Sequence, residues 1–228
     1  MDFVAINKLS LLDYPDKVSC ILYTRGCNFI CPFCHNGLTL LENVSDFIPF
    51  EEILSFLSKR IGILDGVVIY GGEPTLMPDL KEKIKAIKEL GFLVKLDTNG
   101  SNPEILEELM EDELIDYVAM DIKNSLFKYS QTAGRDVNTD KIVKSIKILQ
   151  HGHIDYEFRT TLIKEFHNEL DMISMGKMLK GSPRLYLQQF KISEGVINKN
   201  LHPVDEDLAN KFVKILREYI PVVELRGY

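Results

Sequence analysis

The stretch Val18-Ser-Cys-Ile-Leu-Tyr-Thr24 runs straight into Arg25-Gly-Cys27-Asn-Phe-Ile-Cys31-Pro-Phe-Cys34-His-Asn36. A short apolar run with β-branched and aromatic residues reads as a buried strand. Three thiols spaced C-x3-C-x2-C follow at its carboxyl end. The pattern of strand first and polar group after it recurs along the chain. Candidate strands over 18–24, 66–70, 92–97, 117–121, 156–161 and 185–190 alternate with helical periodicities. Such alternation implies a parallel sheet with crossover helices. Six strand–helix units are too few for a closed eight-unit barrel. The expectation is therefore an α/β fold, an open partial (β/α)6 barrel with a TIM-like plan. Segments 3–9 and 222–225 read as extra strands at its edges.

The helices follow from apolar spacing at three and four residues. Leu80, Ile84, Ile87 and Leu90 share one face, as do Ile142, Ile146 and Leu149. Ile53, Leu54 and Leu57 mark an earlier helix, and Leu208, Phe212, Ile215 and Tyr219 the last. Asn102-Pro103-Glu104 opens another, with an expected side-chain cap at Asn102 and proline at the first helical position. The basic run from Lys81 to Lys88 is interleaved with Glu82 and Glu89 and reads as a solvated helix face.

At 228 residues the chain can bury a full core, and one domain over 1–228 is the simplest expectation. No apolar run reaches the ~20 residues of a membrane helix. The start, Met1-Asp-Phe-Val-Ala, has no basic leader, so a cytoplasmic protein without membrane attachment is expected. A net charge of -7 argues against a nucleic-acid partner.

The cysteines narrow the chemistry. Four occur in the chain and three fall in the cluster, which leaves Cys20 inside the apolar run as a packing residue. Three thiolates without an obvious fourth ligand leave a metal centre with an open coordination position. Zinc favours paired ligand elements and no second pair exists, while His35 beside Cys34 is awkwardly placed for joint ligation. The donor set favours an iron–sulfur cluster over zinc or redox thiols.

The run Cys27 to Cys34 resembles the signature of radical S-adenosylmethionine enzymes. With Cys34-His35-Asn36 it looks like that of glycyl radical enzyme activating enzymes. The opening Ile6-Asn-Lys-Leu-Ser-Leu-Leu-Asp-Tyr-Pro-Asp-Lys17 is similar to the start of anaerobic ribonucleoside-triphosphate reductase activating proteins. The resemblance covers most of the chain, is strong over 6–36 and thins after about 125. It implies the open barrel of the radical S-adenosylmethionine type.

Polar groups stand at the carboxyl ends of the other candidate strands, where parallel α/β folds bind ligands. Gly71-Gly72-Glu73-Pro74 gives a backbone open to close approach, and its amides and carboxylate could hold an ammonium group. The resemblance implies that Gly71, Gly72 and Glu73 bind the amino group of S-adenosylmethionine. It also implies that Asp97-Thr98-Asn99-Gly100 and Asp121-Ile-Lys123 line the cofactor cavity, with Lys123 on the cofactor carboxylate. Asp97, Thr98 and Asp121 could together bind a monovalent cation, as their counterparts do in the pyruvate formate-lyase activator. Arg159 in an inner strand needs an anionic partner, from protein or ligand. Gln188 and Gln189 alternate, so only one faces inward. Some family members carry a histidine after the sixth strand that touches the cofactor; here the run is Gln188-Gln-Phe-Lys191, and no histidine role carries over. His151, His153, His167 and His202 read as surface residues.

The implied reaction is reductive cleavage. Cys27, Cys31 and Cys34 hold a [4Fe–4S] cluster whose fourth iron binds S-adenosylmethionine, with Phe33 and His35 flanking it. One electron from an external reductant, such as a flavodoxin or ferredoxin, yields a 5′-deoxyadenosyl radical that takes hydrogen from a glycine of a partner enzyme. Residues 124–134, with Phe127, Lys128 and Tyr129, are a candidate partner contact, and 193–202 a segment that could close over the substrate. The rival readings are a radical enzyme acting on a small molecule such as a deazapurine precursor, and a zinc-binding scaffold without catalysis.

Overall fold

The computed structural model describes residues 3–37 and 47–228. Eight strands form one sheet in the order of the chain: β1 Ala5–Ser10, β2 Ser19–Thr24, β3 Gly66–Gly71, β4 Leu93–Thr98, β5 Tyr117–Asp121, β6 Asp155–Leu162, β7 Arg184–Gln189 and β8 Val222–Arg226. β1 runs antiparallel to β2, and every later pair is parallel. Among the described residues β8 does not pair with β1, so the sheet is open. The six strands read from the sequence are β2 to β7, and both expected edge strands exist.

Parallel strands buried on both faces carry near-continuous apolar runs. Alternation then sends their side chains to two different places. Cys20, Leu22, Val67, Ile69, Val94, Leu96, Val118, Met120 and Phe158 point outward into the main core. Ile21, Val68 and Tyr117 sit on the opposite, concave face with Tyr14 in a smaller cluster. By the same alternation that concave face receives Lys95, Asp97, Glu157 and Arg159, all largely buried.

Helices cover the outer face: α1 Phe50–Ser58, α2 Leu80–Glu89, α3 Pro103–Glu111, α4 Tyr129–Ala133, α5 Thr139–His151, α6 Glu169–Met178 and α7 Glu206–Leu216. The stripes of α2 and α5 are buried as their spacing requires. In α7 the buried line is Ala209, Phe212, Val213 and Leu216, one position on from Leu208 and Ile215, which pack at its margin. Full burial of a residue such as Phe212 contributes about 1.5–3 kcal/mol. Two expectations fail. Asn102 makes no side-chain cap; its Nδ2 donates instead to the carbonyl and hydroxyl of Thr75. Lys83 is buried and not solvated, because its ammonium lies over the rings of Phe3 and Phe50 and pairs with Asp79.

Candidate active site

One cavity opens at the carboxyl ends of the strands. Cys27, Cys31 and Cys34 border it from the loop after β2, with Phe33 and His35 between and beside them. The end of β3 contributes Gly71 and Gly72, and β4 contributes Asp97, Thr98 and the following Asn99. Asp121 and Lys123 come from the end of β5 and Arg159 from β6. These expected residues therefore meet in one place.

Two others do not. Glu73 is buried and turned away from the cavity, with its carboxylate oxygens filled by protein donors. They accept from Thr75 N at 3.2 Å, Thr75 Oγ1 at 2.5 Å, Thr98 Oγ1 at 2.6 Å and Asn99 N at 2.6 Å. Burial pushes its pKa above the ordinary glutamate range, against the pull of those donors. Glu73 thus organises the ends of β3 and β4. Gln188 lies on the concave face, in register with Thr161 and Arg226, but is not among the residues bordering the cavity. The reason is distance across the sheet: the cavity spans β2 to β6, and Gln188 is on β7.

The glycine pair serves packing as well as access. A side-chain carbon on Gly72 would stand 1.8 Å from the Gly26 carbonyl oxygen, and one on Gly71 2.5 Å from the Thr24 backbone. Glu73 N donates to Gly26 O at 2.8 Å. The end of β3 is thereby stitched to the start of the cysteine loop.

Five charges alternate across the cavity floor. Lys95 pairs with Asp97, Asp97 with Arg159 at 2.7 Å, Arg159 with Asp121 at 3.2 Å, and Asp121 with Lys123 at 3.0 Å. Buried charges persist only when paired in this way. Arg159 thus finds its anions in the protein, while its strand neighbour Glu157 pairs with Arg226 and accepts from Tyr117. Asp97 and Asp121 are thus each already engaged by two protein cations. This disfavours a monovalent cation at Asp97, Thr98 and Asp121. Thr98 Oγ1, moreover, is engaged with Glu73 and with Gly100 N.

Lys123 faces the thiols. Burial pushes the Cys27 and Cys34 thiols up and the Cys31 thiol to about 12, while the Lys123 ammonium opposes the shift in all three. All the cysteines are free thiols. Among the described residues no three Cys, His, Asp or Glu side chains are grouped so as to hold one metal ion. The three thiols instead border a shared cavity, which suits a cluster that spans them. Metal bound to buried thiols deprotonates them and supplies the charge that burial otherwise opposes. Phe29 N lies 3.3 Å from Cys27 Sγ, a hydrogen bond of the type that tunes iron–sulfur centres. The donor set fits a three-thiolate cluster.

The structure also adds residues. Phe29, Asn36, Tyr70 and Thr161 border the cavity. Tyr70 precedes Gly71 and Thr161 lies two beyond Arg159, so strand alternation alone could have placed both inward. His167 is a buried residue and not a surface one. Its Nδ1 accepts from Ile163 N at 3.0 Å, and its Nε2 lies 3.0 Å from the Lys123 carbonyl oxygen. In the expected partner loop, Tyr129 is buried and Lys128 is paired with Asp171, while Phe127 is 97% exposed. Leu126, Phe127 and Gln131 are its exposed side chains.

The Radical SAM superfamily model matches residues 21–174. A protein of Methanocaldococcus jannaschii named as a glycyl-radical enzyme activating enzyme is 36% identical over 97% of this chain and 94% of its own. A protein of Sulfurisphaera tokodaii named as a GTP 3′,8-cyclase is 30% identical over 91% of this chain and 66% of its own. The fold also resembles Streptococcus suis SuiB bound to S-adenosylmethionine, with a TM-score of 0.67, 18% identity, and 91% and 52% of the two chains covered.

Proposed function

Because the chain belongs to the Radical SAM superfamily, which implies a [4Fe–4S] cluster and S-adenosylmethionine, we propose that it is the activase of a glycyl radical enzyme. The observation that carries this reading is the near full-length likeness to the archaeal activating enzyme, together with the convergence of all three cysteines and the Asp121–Lys123 pair on one cavity. When bound and reduced, the cluster and S-adenosylmethionine would supply a 5′-deoxyadenosyl radical.

The chain's own residues have binding and positioning work to do. Cys27, Cys31 and Cys34 would hold the cluster. Lys123 would attract the cofactor carboxylate. The backbone of Gly71 and Gly72 and the side chains of Asn99 and Arg159 would line the cofactor's bed. Glu73 would act indirectly, by holding Thr98 and the Asn99 amide in place. Phe29, Phe33 and Tyr70 would limit water around the reacting centre. The open sheet between β1 and β8 supports entry of a polypeptide loop. The protein substrate best supported by residues 6–17 is an anaerobic ribonucleoside-triphosphate reductase, and the electron would come from a flavodoxin or ferredoxin.

The likeness to a GTP 3′,8-cyclase supports the rival small-molecule reading, although the chain spans only 66% of that relative. The test is anaerobic incubation of the reduced, cluster-loaded protein with S-adenosylmethionine and the glycyl radical reductase of the same organism. A glycyl radical spectrum on the reductase, at a yield matched by 5′-deoxyadenosine, is expected. Cofactor cleavage that leaves every offered glycyl radical enzyme diamagnetic would favour the small-molecule reading.

A further inference from the structure

Three segments far apart in the chain each press a glycine against the cysteine loop, and each meets it beside a different cysteine. A side-chain carbon on Gly72 would stand 1.8 Å from the oxygen of Gly26, the residue before Cys27. One on Gly134, the left-handed cap that ends α4, would stand 2.0 Å from the oxygen of Ile30, the residue before Cys31. One on Gly195 would stand 1.9 Å from the oxygen of His35, the residue after Cys34. Real side-chain carbons do not come so near a backbone atom, so each contact requires glycine or a shifted loop.

Hydrogen bonds accompany each contact. Glu73 N donates to Gly26 O at 2.8 Å, and Ile30 N donates to Ala133 O at 3.0 Å. Asn198 N donates to Pro32 O at 2.8 Å, and His35 Nδ1 lies 3.3 Å from Ser193 Oγ. Within the same segment Val196 is buried, and the Ile197 side chain occupies the space over Gly37. Residues 193–198 are therefore packed on the cysteine loop and do not stand off from it as a lid.

We infer that Gly72, Gly134 and Gly195 are positioning residues for the cluster, each fixing the backbone of a residue next to one of its three cysteines. They ligate nothing. They set where the three sulfurs stand before iron arrives, so that little loop ordering remains to be done on binding. The inference rests on the cysteines holding a cluster, the premise of the proposed function, and adds that a segment after β7 decides how well they hold it.

Gly195 gives the cleanest test, because its backbone is not in the left-handed region and alanine there perturbs the contact alone. Wild type, Gly195→Ala, Ile197→Ala and the exposed control Glu194→Ala are reconstituted anaerobically with iron and sulfide. Iron and sulfide content, the reduced-cluster electron paramagnetic resonance spectrum and the rate of cluster loss to an iron chelator are measured. The expected result is roughly tenfold faster loss and an altered spectrum in Gly195→Ala, with a smaller change of the same sign in Ile197→Ala. Glu194→Ala should match wild type, and the metal-free melting temperatures should stay close together. If Gly195→Ala misfolds, Ile197→Ala, a simple truncation, carries the test. Unchanged cluster content, spectrum and loss rate in the folded variants would overturn the inference. A wild type that takes up no cluster would instead overturn the proposed function.

Discussion

His167 Nε2 lies 3.0 Å from the carbonyl oxygen of Lys123, while its Nδ1 accepts from Ile163 N. These bonds select the neutral tautomer protonated at Nε2. One buried ring thus ties the loop after β6 to the backbone of the residue whose ammonium faces the thiols. His167→Leu leaves a buried carbonyl and a buried amide without partners, each costing about 1–3 kcal/mol. A melting temperature lower by about 4–24 °C is expected, from about 2–6 kcal/mol for the two groups at roughly 2–4 °C per kcal/mol for a chain of this size. His167→Gln, which can donate and accept at once, should recover part of the loss. Burial lowers the His167 pKa. Its contribution is therefore complete above the ordinary histidine value and drains as pH falls below it toward the folded value. Thermal melts from pH 8 to pH 5 on wild type and His167→Gln would show this limb in the first only.

Glu73 makes a second, separable prediction. Its oxygens accept from two backbone amides and two hydroxyls, and an amide side chain would turn an NH2 group toward those donors. Glu73→Gln should cost about 1–3 kcal/mol in urea unfolding of the metal-free protein. If Glu73 served only the cofactor, its replacement would leave metal-free stability unchanged.

Asp121 should shape the acid limb. Burial raises its pKa, but the Lys123 ammonium and the Arg159 guanidinium more than offset this and hold it below the ordinary aspartate range. A carboxylate with a depressed folded pKa stabilises above its unfolded value, and that stability is lost as pH falls through the folded one. Lys123→Met removes one of the two cations. The variant should therefore be less stable than wild type near neutral pH, with a shallower acid limb, so that the gap between the two narrows as pH falls, as read by urea midpoints between pH 3 and pH 7.

Arg159 is the hinge of the charge chain. It is 11% exposed and pairs with Asp97, which is 6% exposed. Breaking a buried pair by removing one partner costs about 3–5 kcal/mol. Arg159→Met should show a loss of that order, and adding Asp97→Asn should recover part of it. Additive losses in the double variant would contradict the coupling.

The metal-free thiols should be slow nucleophiles. The Cys31 thiol is pushed up to about 12 by burial, and Cys27 and Cys34 are raised as well. Iodoacetamide at pH 7.5 should label all three more slowly than an unstructured cysteine peptide, because only thiolate reacts. Labelling as fast as the peptide would show that the loop is not seated as described.

The strands were legible because a parallel sheet buries both faces, and the expected bounds lie within a residue or two of β2 to β7. The cavity was legible where chemistry sits at strand ends, as with Cys27, Gly71, Asp97 and Asp121. Tyr70 and Thr161 carry no charge or metal-ligating group, so their inward direction alone does not mark them as site residues. The role of His167 is not legible locally, because one of its two partners, the Lys123 carbonyl, lies 44 residues away in the chain. The contacts of Gly134 and Gly195 are likewise set by how distant segments meet. Gln188 went the other way, since its inward direction was readable but its place across the sheet was not.

The most direct test of the account is cleavage of S-adenosylmethionine. Protein reconstituted anaerobically with iron and sulfide is reduced with dithionite, given S-adenosylmethionine and assayed for 5′-deoxyadenosine beside a Cys31→Ala control. Wild type is expected to release 5′-deoxyadenosine and methionine, and the control none above background. Wild type that carries a full cluster and binds the cofactor yet releases no 5′-deoxyadenosine, or a control that releases as much as wild type, would contradict it.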